Sequence, residues 1–142
     1  YRELFSAIFY DYHLFRRLYG VPNADPRELA DLLAQFRLEE KTGLTNGEFR
    51  TLDLSGGQRR RLALIVSLLE DRPIMLLDEW TAEQDPEYRR KFYDEIIPEL
   101  MRAGKTLVVI THDDRYLDEF RMPGRRIHME EGRIVEERKV GG

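Results

Sequence analysis

Two adjacent acids, Asp78 and Glu79, follow the apolar run Ile74-Met75-Leu76-Leu77. That pattern places both carboxylates at the carboxyl end of a central parallel strand covered on both faces, the edge at which open α/β sheets bind ligands. One carboxylate there can hold Mg²⁺ through water, and the next can accept a proton from an attacking water. The plainer alternative is an acidic strand end capping the next helix, but two neighbouring semi-buried carboxylates repel unless a cation separates them. His112 stands just past a second apolar run, Leu107 to Ile110. It shares the acids' edge if the two strands are parallel neighbours; otherwise it is a structural hydrogen-bonding residue. His13, among aromatics, and His128, inside a hairpin, take the plain structural reading.

Leu54-Ser55-Gly56-Gly57-Gln58 has the second pattern. Ser55 and Gln58 have capping-box spacing, so a helix opens here. Its first backbone N–H groups lack internal partners and carry partial positive charge, and two glycines let an anion approach the backbone closely. Arg59, Arg60 and Arg61 then add positive charge where it is unfavourable by roughly 0.3–1 kcal/mol each, a cost that a nearby phosphate would reverse. The alternative is a plain Ser-capped helix with a solvated arginine face. Gly104-Lys105-Thr106 imitates the end of a P-loop, but the glycine required five positions earlier is Glu99. The tripeptide also precedes a strand, which is the reverse of a P-loop. No glycine starts a complete P-loop, so the chain carries no phosphate cradle of its own.

The elements that must position these groups follow from spacing. Residues 1–20 hold seven of the fifteen aromatics, with a strand expected within Leu4 to Phe9 and loop or helix from Asp11 to Tyr19; such density reads as core or interface. Asp25-Pro26-Arg27-Glu28 starts a helix whose buried stripe is Leu29, Leu32, Leu33 and Phe36. Thr42 to Arg50 reads as loop. The helix opened by Ser55 stops before Pro73. Asp85-Pro86 caps a long helix that Pro98 should kink or interrupt and Gly104 should end. A short helix is expected over Arg115 to Phe120, and Glu130-Glu131-Gly132 joins the arms of a hairpin. The sum is an α/β core with a helical lobe: residues 1–14 close a core strand, 15–72 form the lobe, and 73–142 return to the core.

Composition narrows the partners. The chain has 142 residues, 23 Lys+Arg against 27 Asp+Glu, a net charge of −4, 42% hydrophobic and 35% charged residues. That suits a folded globular chain, and the acidic balance argues against a nucleic-acid partner held by bulk charge. Without cysteine, disulfides, thiolate metal sites and Cys nucleophiles are excluded. The apolar runs are too short to span a bilayer. The opening inside a patterned segment, with no initiator Met, reads as a piece of something longer.

Together these motifs resemble the ATP-binding cassette (ABC) ATPase domain. Leu54 to Gln58 resembles its signature motif, Ile74 to Glu79 its Walker B strand with the catalytic Glu, Ala82-Glu83-Gln84-Asp85 its D-loop, and His112 its switch histidine. The resemblance spans nearly the whole chain but only the C-terminal part of such a domain: a partial P-loop NTPase core with a helical signature subdomain, the Walker A half lying upstream of Tyr1. Phe5 to Phe15 and Leu77 to Pro86 further resemble the cyclic-peptide or siderophore-peptide exporter subgroup. Two positions depart from the pattern. Tyr10 stands where the Q-loop Gln is usual, leaving neighbouring Asp11 as a substitute oxygen donor, and the D-loop keeps Asp85 without the common text around it.

The resemblance implies two cassettes sandwiching two ATP molecules. Ser55, Gly56, Gly57 and Gln58 would contact the γ-phosphate of ATP held by the second cassette, Asp78 would hold Mg²⁺, Glu79 would polarise the attacking water, and His112 would contact the γ-phosphate. The helical lobe would touch a transmembrane domain at the cytoplasmic face of the membrane, and the 142 residues alone would hydrolyse nothing. The weighed alternatives are a DNA-repair or chromosome-type ABC ATPase, against which the absent heptads and Gln58 speak, and a non-catalytic module, against which Asp78 and Glu79 together speak.

Overall fold

The computed structural model describes residues 2–21, 24–119 and 122–141. Tyr1 and Phe120, assigned above to the opening segment and to the end of a short helix, lie outside the described residues. A short 3-10 turn, Arg2–Leu4, leads into β1 (Phe5–Ile8). Strands β4 (Ile74–Asp78) and β5 (Thr106–Ile110) join β1 in a parallel three-stranded sheet of order β1-β4-β5. Between β1 and β4 run α1 (Pro26–Gln35), a small hairpin of β2 (Leu44–Thr45) and β3 (Glu48–Phe49), and α2 (Gly56–Leu69).

The register aligns Ser6, Met75 and Leu107, then Ile8, Leu77 and Val109, on the face that packs into the core. That core takes Leu29, Leu33 and Phe36 from the α1 segment, Leu62, Leu64, Ile65 and Leu69 from α2, and Phe92, Ile96 and Ile97 from the helix after β4. The opposite face carries Phe5, Val108 and Ile110, each about half exposed. The expectation that the apolar strands are covered on both faces is therefore corrected: among the described residues one face is packed and the other is open. The early aromatics are likewise corrected as core, since Phe5, Phe9, Tyr10, Phe15 and Tyr19 are all exposed, with His13, Phe15 and Tyr19 meeting edge to face.

Thr42 to Arg50, expected as loop, contains the β2–β3 hairpin. Asn46 and Gly47 form its two-residue turn with φ of 53° and 76°, the left-handed pair that Asn-Gly supplies. Arg17 bridges to Glu48, so the otherwise irregular stretch after β1 is stitched to this hairpin.

The helix after β4 runs as α3 (Pro86–Lys91), a π segment (Phe92–Ile96) and α4 (Ile97–Arg102). The expected interruption at Pro98 is present as this π segment. The wider turn just before the proline, with Ile97 N donating to Phe92 O, absorbs the missing N–H. Gly104, at φ 82°, closes the helix as Lys105 N donates to Leu100 O. A short α5 (Asp114–Glu119) precedes the hairpin of β6 (Gly124–Glu130) and β7 (Arg133–Val140). Arg126 of β6 binds Asp114 and Asp118, tying the hairpin to α5. Among the described residues no helix is long and apolar enough to cross a membrane.

Candidate active site

Because β1, β4 and β5 are parallel neighbours, their carboxyl ends converge. Asp78 ends β4 opposite Ile110, and its Oδ2 accepts a hydrogen bond from Tyr10 N at 3.3 Å. Glu79 follows in the left-handed region at φ 50°, a conformation that costs a non-glycine residue on the order of 1 kcal/mol or more. Three contacts hold it there. Glu79 N donates to Ile110 O at 2.9 Å, Arg60 Nη1 donates to Glu79 O at 2.9 Å, and the next residue, Trp80, is buried with its ring stacked on Phe92 at 4.6 Å. The Trp80 indole N–H also donates to Arg60 O.

This turn carries the Glu79 side chain to His112, whose Nε2 lies 3.2 Å from Glu79 Oε1. That oxygen is buried and accepts no hydrogen bond of good geometry. The His112 side chain is 94% exposed, so the ring faces open space on its other side. The pair is thus a carboxylate oxygen in need of a donor beside an imidazole that a ligand can reach.

The residues on either side of His112, Thr111 and Asp113, stand in a polar network. Thr81 Oγ1 donates to Asp113 Oδ2 at 2.6 Å, the Tyr93 hydroxyl meets Thr111 Oγ1 at 2.9 Å and donates to Asp113 Oδ2 at 3.3 Å, and Arg89 lies 3.6 Å from Asp113 Oδ1. Burial pushes the Tyr93 phenol up to about 12, which keeps it a neutral donor.

Asp78 and Glu79 offer hard carboxylate oxygens, and no group of three or more His, Cys, Asp or Glu able to hold a metal occurs among the described residues. That donor set fits Mg²⁺, which is usually held by one or two carboxylates with water and phosphate filling its other positions.

At the tip of α2 both halves of the capping box are present: Gln58 N donates to Ser55 Oγ, and Ser55 N donates to Gln58 Oε1. The glycines serve a purpose the sequence did not disclose. A Cβ on Gly57 would lie 2.6 Å from Glu83 O, and one on Gly56 would lie 2.7 Å from Glu83 Oε2. The space they leave receives the loop after Glu79, and Gln84 Nε2 donates to Gly57 O at 3.0 Å.

The solvated arginine face is corrected too: Arg59 is exposed, but Arg60 and Arg61 are buried. Arg61 donates to Phe36 O and lies over the Tyr88 ring at 4.0 Å. Asp85 caps α3, accepting from Tyr88 N, and Asp11 is exposed one residue beyond Tyr10.

Tyr10, Asp78, Glu79 and His112 are therefore brought to one edge. Ser55 to Gln58 are tied instead to the loop that follows the acids. Trp80, Thr81, Tyr93 and Asp113 are the site-building residues that the sequence reading passed over, and Arg60, read there only as part of a basic helix turn, joins them. The one available signal was the chain's single tryptophan directly after the two acids.

A profile of the ABC transporter family matches residues 1–82, more than half of the chain. The chain belongs to the ABC transporter family. Among curated ABC proteins, the ATP-binding protein SyrD of Pseudomonas syringae pv. syringae is 47% identical over 145 residues, which cover 98% of this chain and 25% of SyrD. The macrolide export ATP-binding/permease protein MacB 1/2 of Paracoccus denitrificans is 32% identical, covering 99% of this chain and 22% of MacB. The chain thus spans about a quarter of the length of these ABC relatives. Among solved structures, the dimeric bacterial ABC transporter cassette MJ0796 superposes with a TM-score of 0.64 at 28% identity, covering 82% of this chain and 47% of that one. The same cassette in a dimeric post-hydrolysis state bound to ADP and Pi reaches 0.74 at 24% identity over 99% of this chain and 65% of that one.

Proposed function

We propose that these residues are the C-terminal part of an ABC cassette that hydrolyses ATP between two cassettes and drives export of a peptide-like substrate. The observation that carries the reading is the 3.2 Å approach of Glu79 to His112 beside Asp78, at the carboxyl edge of a parallel sheet. Phosphoryl transfer to water needs positioning, charge neutralisation and an oriented nucleophile rather than covalent chemistry, and these groups are of those kinds. Glu79 accepts the proton of the attacking water. Its buried, unsatisfied Oε1 is a ready acceptor. His112, exposed on its far side, donates to the γ-phosphate. Asp78 is the residue that would hold Mg²⁺, with Asp11 the oxygen donor nearest the usual Q-loop position. When bound, the ion supplies charge neutralisation on the phosphate oxygens.

Ser55, Gly56, Gly57 and Gln58 face ATP on the second cassette; MJ0796, dimeric in its solved forms, supports that arrangement. Asp85 fixes the start of α3 at the D-loop position. Residues 15–72 form the lobe that meets a transmembrane domain at the cytoplasmic face, flanked by the core segments 1–14 and 73–142. The export reading is supported by the permease portion named for MacB, and the peptide-like substrate by the resemblance over Phe5 to Phe15 and Leu77 to Pro86.

Glu79→Gln in the full-length protein is expected to bind ATP but to turn it over at least about a hundredfold more slowly, the scale for losing a positioned proton acceptor. Nucleotide binding and phosphate release measured side by side decide it. Turnover equal to that of the parent refutes the role.

A further inference from the structure

Arg60 is 2% exposed, and its guanidinium is spent on main-chain and loop partners around the acids. Nη1 donates to Glu79 O at 2.9 Å, Nη2 to Tyr10 O at 3.2 Å, and Nε to Glu83 Oε2 at 2.9 Å. Its face lies 5.1 Å from the Tyr10 ring centroid and 5.5 Å from that of Tyr12.

Desolvating a guanidinium is costly, and its one counter-charge, Glu83, is itself 49% exposed. An ion pair alone would not require burial. What the buried position adds is reach to two loops at once, the one after β1 at Tyr10 and the one after β4 at both Glu79 and Glu83. The planar fork directs its N–H donors at fixed angles, which a lysine cannot reproduce.

The partners are specific. Tyr10, held through its carbonyl by Arg60, donates its own N–H to Asp78. Glu79 is held directly, in its left-handed turn. Trp80, on the other side of Glu79, donates to the Arg60 carbonyl. Both acids are thereby fixed from one residue of α2. Arg61 makes a useful contrast: it is equally helical and buried, but its side chain bonds to Phe36 O and Gly57 O rather than to the residues around the acids.

We infer that Arg60 is a positioning residue, its buried guanidinium setting the backbone at Glu79 and Tyr10 and so holding the tip of α2 in register with Asp78 and Glu79. The inference rests on the proposed hydrolytic role of Glu79. It assigns a function to an arginine that its sequence context had left between a phosphate ligand and a solvated surface residue.

Arg60→Lys and Arg60→Met in the full-length protein test it, with exposed Arg115→Met as the control. Steady-state ATP hydrolysis and hydrogen–deuterium exchange are read on each. The expected result is kcat lower by about tenfold or more with KM for ATP changed by less than about twofold. Exchange should be faster over residues 9–12 and 79–84 and unchanged in β4, with Arg115→Met matching the parent in both. Parent-like kcat in both Arg60 variants overturns the inference. So does a loss accompanied by faster exchange throughout β4 and α2, which would mark a merely structural role. A parent protein that turns over no ATP overturns the hydrolytic reading, and the inference with it.

Discussion

At Gly57 an added methyl group meets the Glu83 carbonyl oxygen, a main-chain atom that cannot swing aside. At Gly56 the obstacle is the Glu83 carboxylate, the far end of a flexible side chain. Alanine gains up to about 1 kcal/mol over glycine in a helix, less in the first turn, whereas overpacking against a fixed atom costs about 1–3 kcal/mol. Gly57→Ala is therefore expected to destabilise the chain by roughly 1–2 kcal/mol and Gly56→Ala by clearly less. Urea unfolding midpoints at unchanged slope measure both; equal shifts would contradict the steric account. The same residues show where sequence reasoning stopped. Ser55 and Gln58 announce a cap by type and spacing, and the structure has that cap. Gly56 and Gly57 announce only that something approaches closely, and whether it is a phosphate or the chain's own loop depends on tertiary packing. Arg60 was illegible for the same reason, since its burial comes from Tyr10, Trp80 and Glu83, which lie far from it in sequence.

Among the elements, the helix from Pro86 to Arg102 links the acids' loop to β5, and Tyr93 lies in its π segment. Burial raises the Tyr93 phenol from 10 to about 12. A raised acid constant in the folded state means the folded chain holds the proton more tightly than the unfolded one. Stability is then full below pH 10 and falls as pH rises through 12, by an amount on the order of 2–3 kcal/mol. Tyr93→Phe should remove this component. Comparing unfolding free energies of parent and variant from pH 9 upward checks it, and parallel pH curves would contradict it. Element existence was largely readable: capped helices at Asp25, Ser55 and Asp85, two apolar strands and the Glu131-Gly132 hairpin are all present. The missed elements have local causes. Strands β2 and β3 are only two residues long, too short for any alternation to show, although Asn46-Gly47 was there to be read. Pro98 predicted a kink or an interruption because a proline in an α-helix strands a carbonyl, and the interruption is there; that it takes the form of a π turn is what periodicity cannot distinguish.

On the scale of the whole molecule, the sheet has one packed face and one open face. The register stacks Phe5, Ile74 and Thr106, then Ala7, Leu76 and Val108, with Ile110 opposite Asp78, on the open side. Uniformly apolar strands of this kind occur where both faces are covered, so sequence predicted a cover that the described residues do not supply. Val108 and Ile110, each 47% exposed, lie on β5, which pairs with β4 on one side only among the described residues. An apolar face next to an unpaired strand edge favours association with a second copy of the same surface. The 142-residue chain is therefore expected to self-associate as its concentration rises. Val108→Thr together with Ile110→Thr should weaken that association, because each change puts a hydroxyl on the open face while keeping β-branching and leaving the packed residues Leu107 and Val109 untouched. Sedimentation equilibrium of the two proteins over the same concentration range provides the comparison. A parent chain that stays monomeric at its highest soluble concentration would show that the open face is not adhesive. Equal association in both proteins would place the contact elsewhere, on the exposed Ile127, Met129, Ile134 and Val135 of the β6–β7 hairpin.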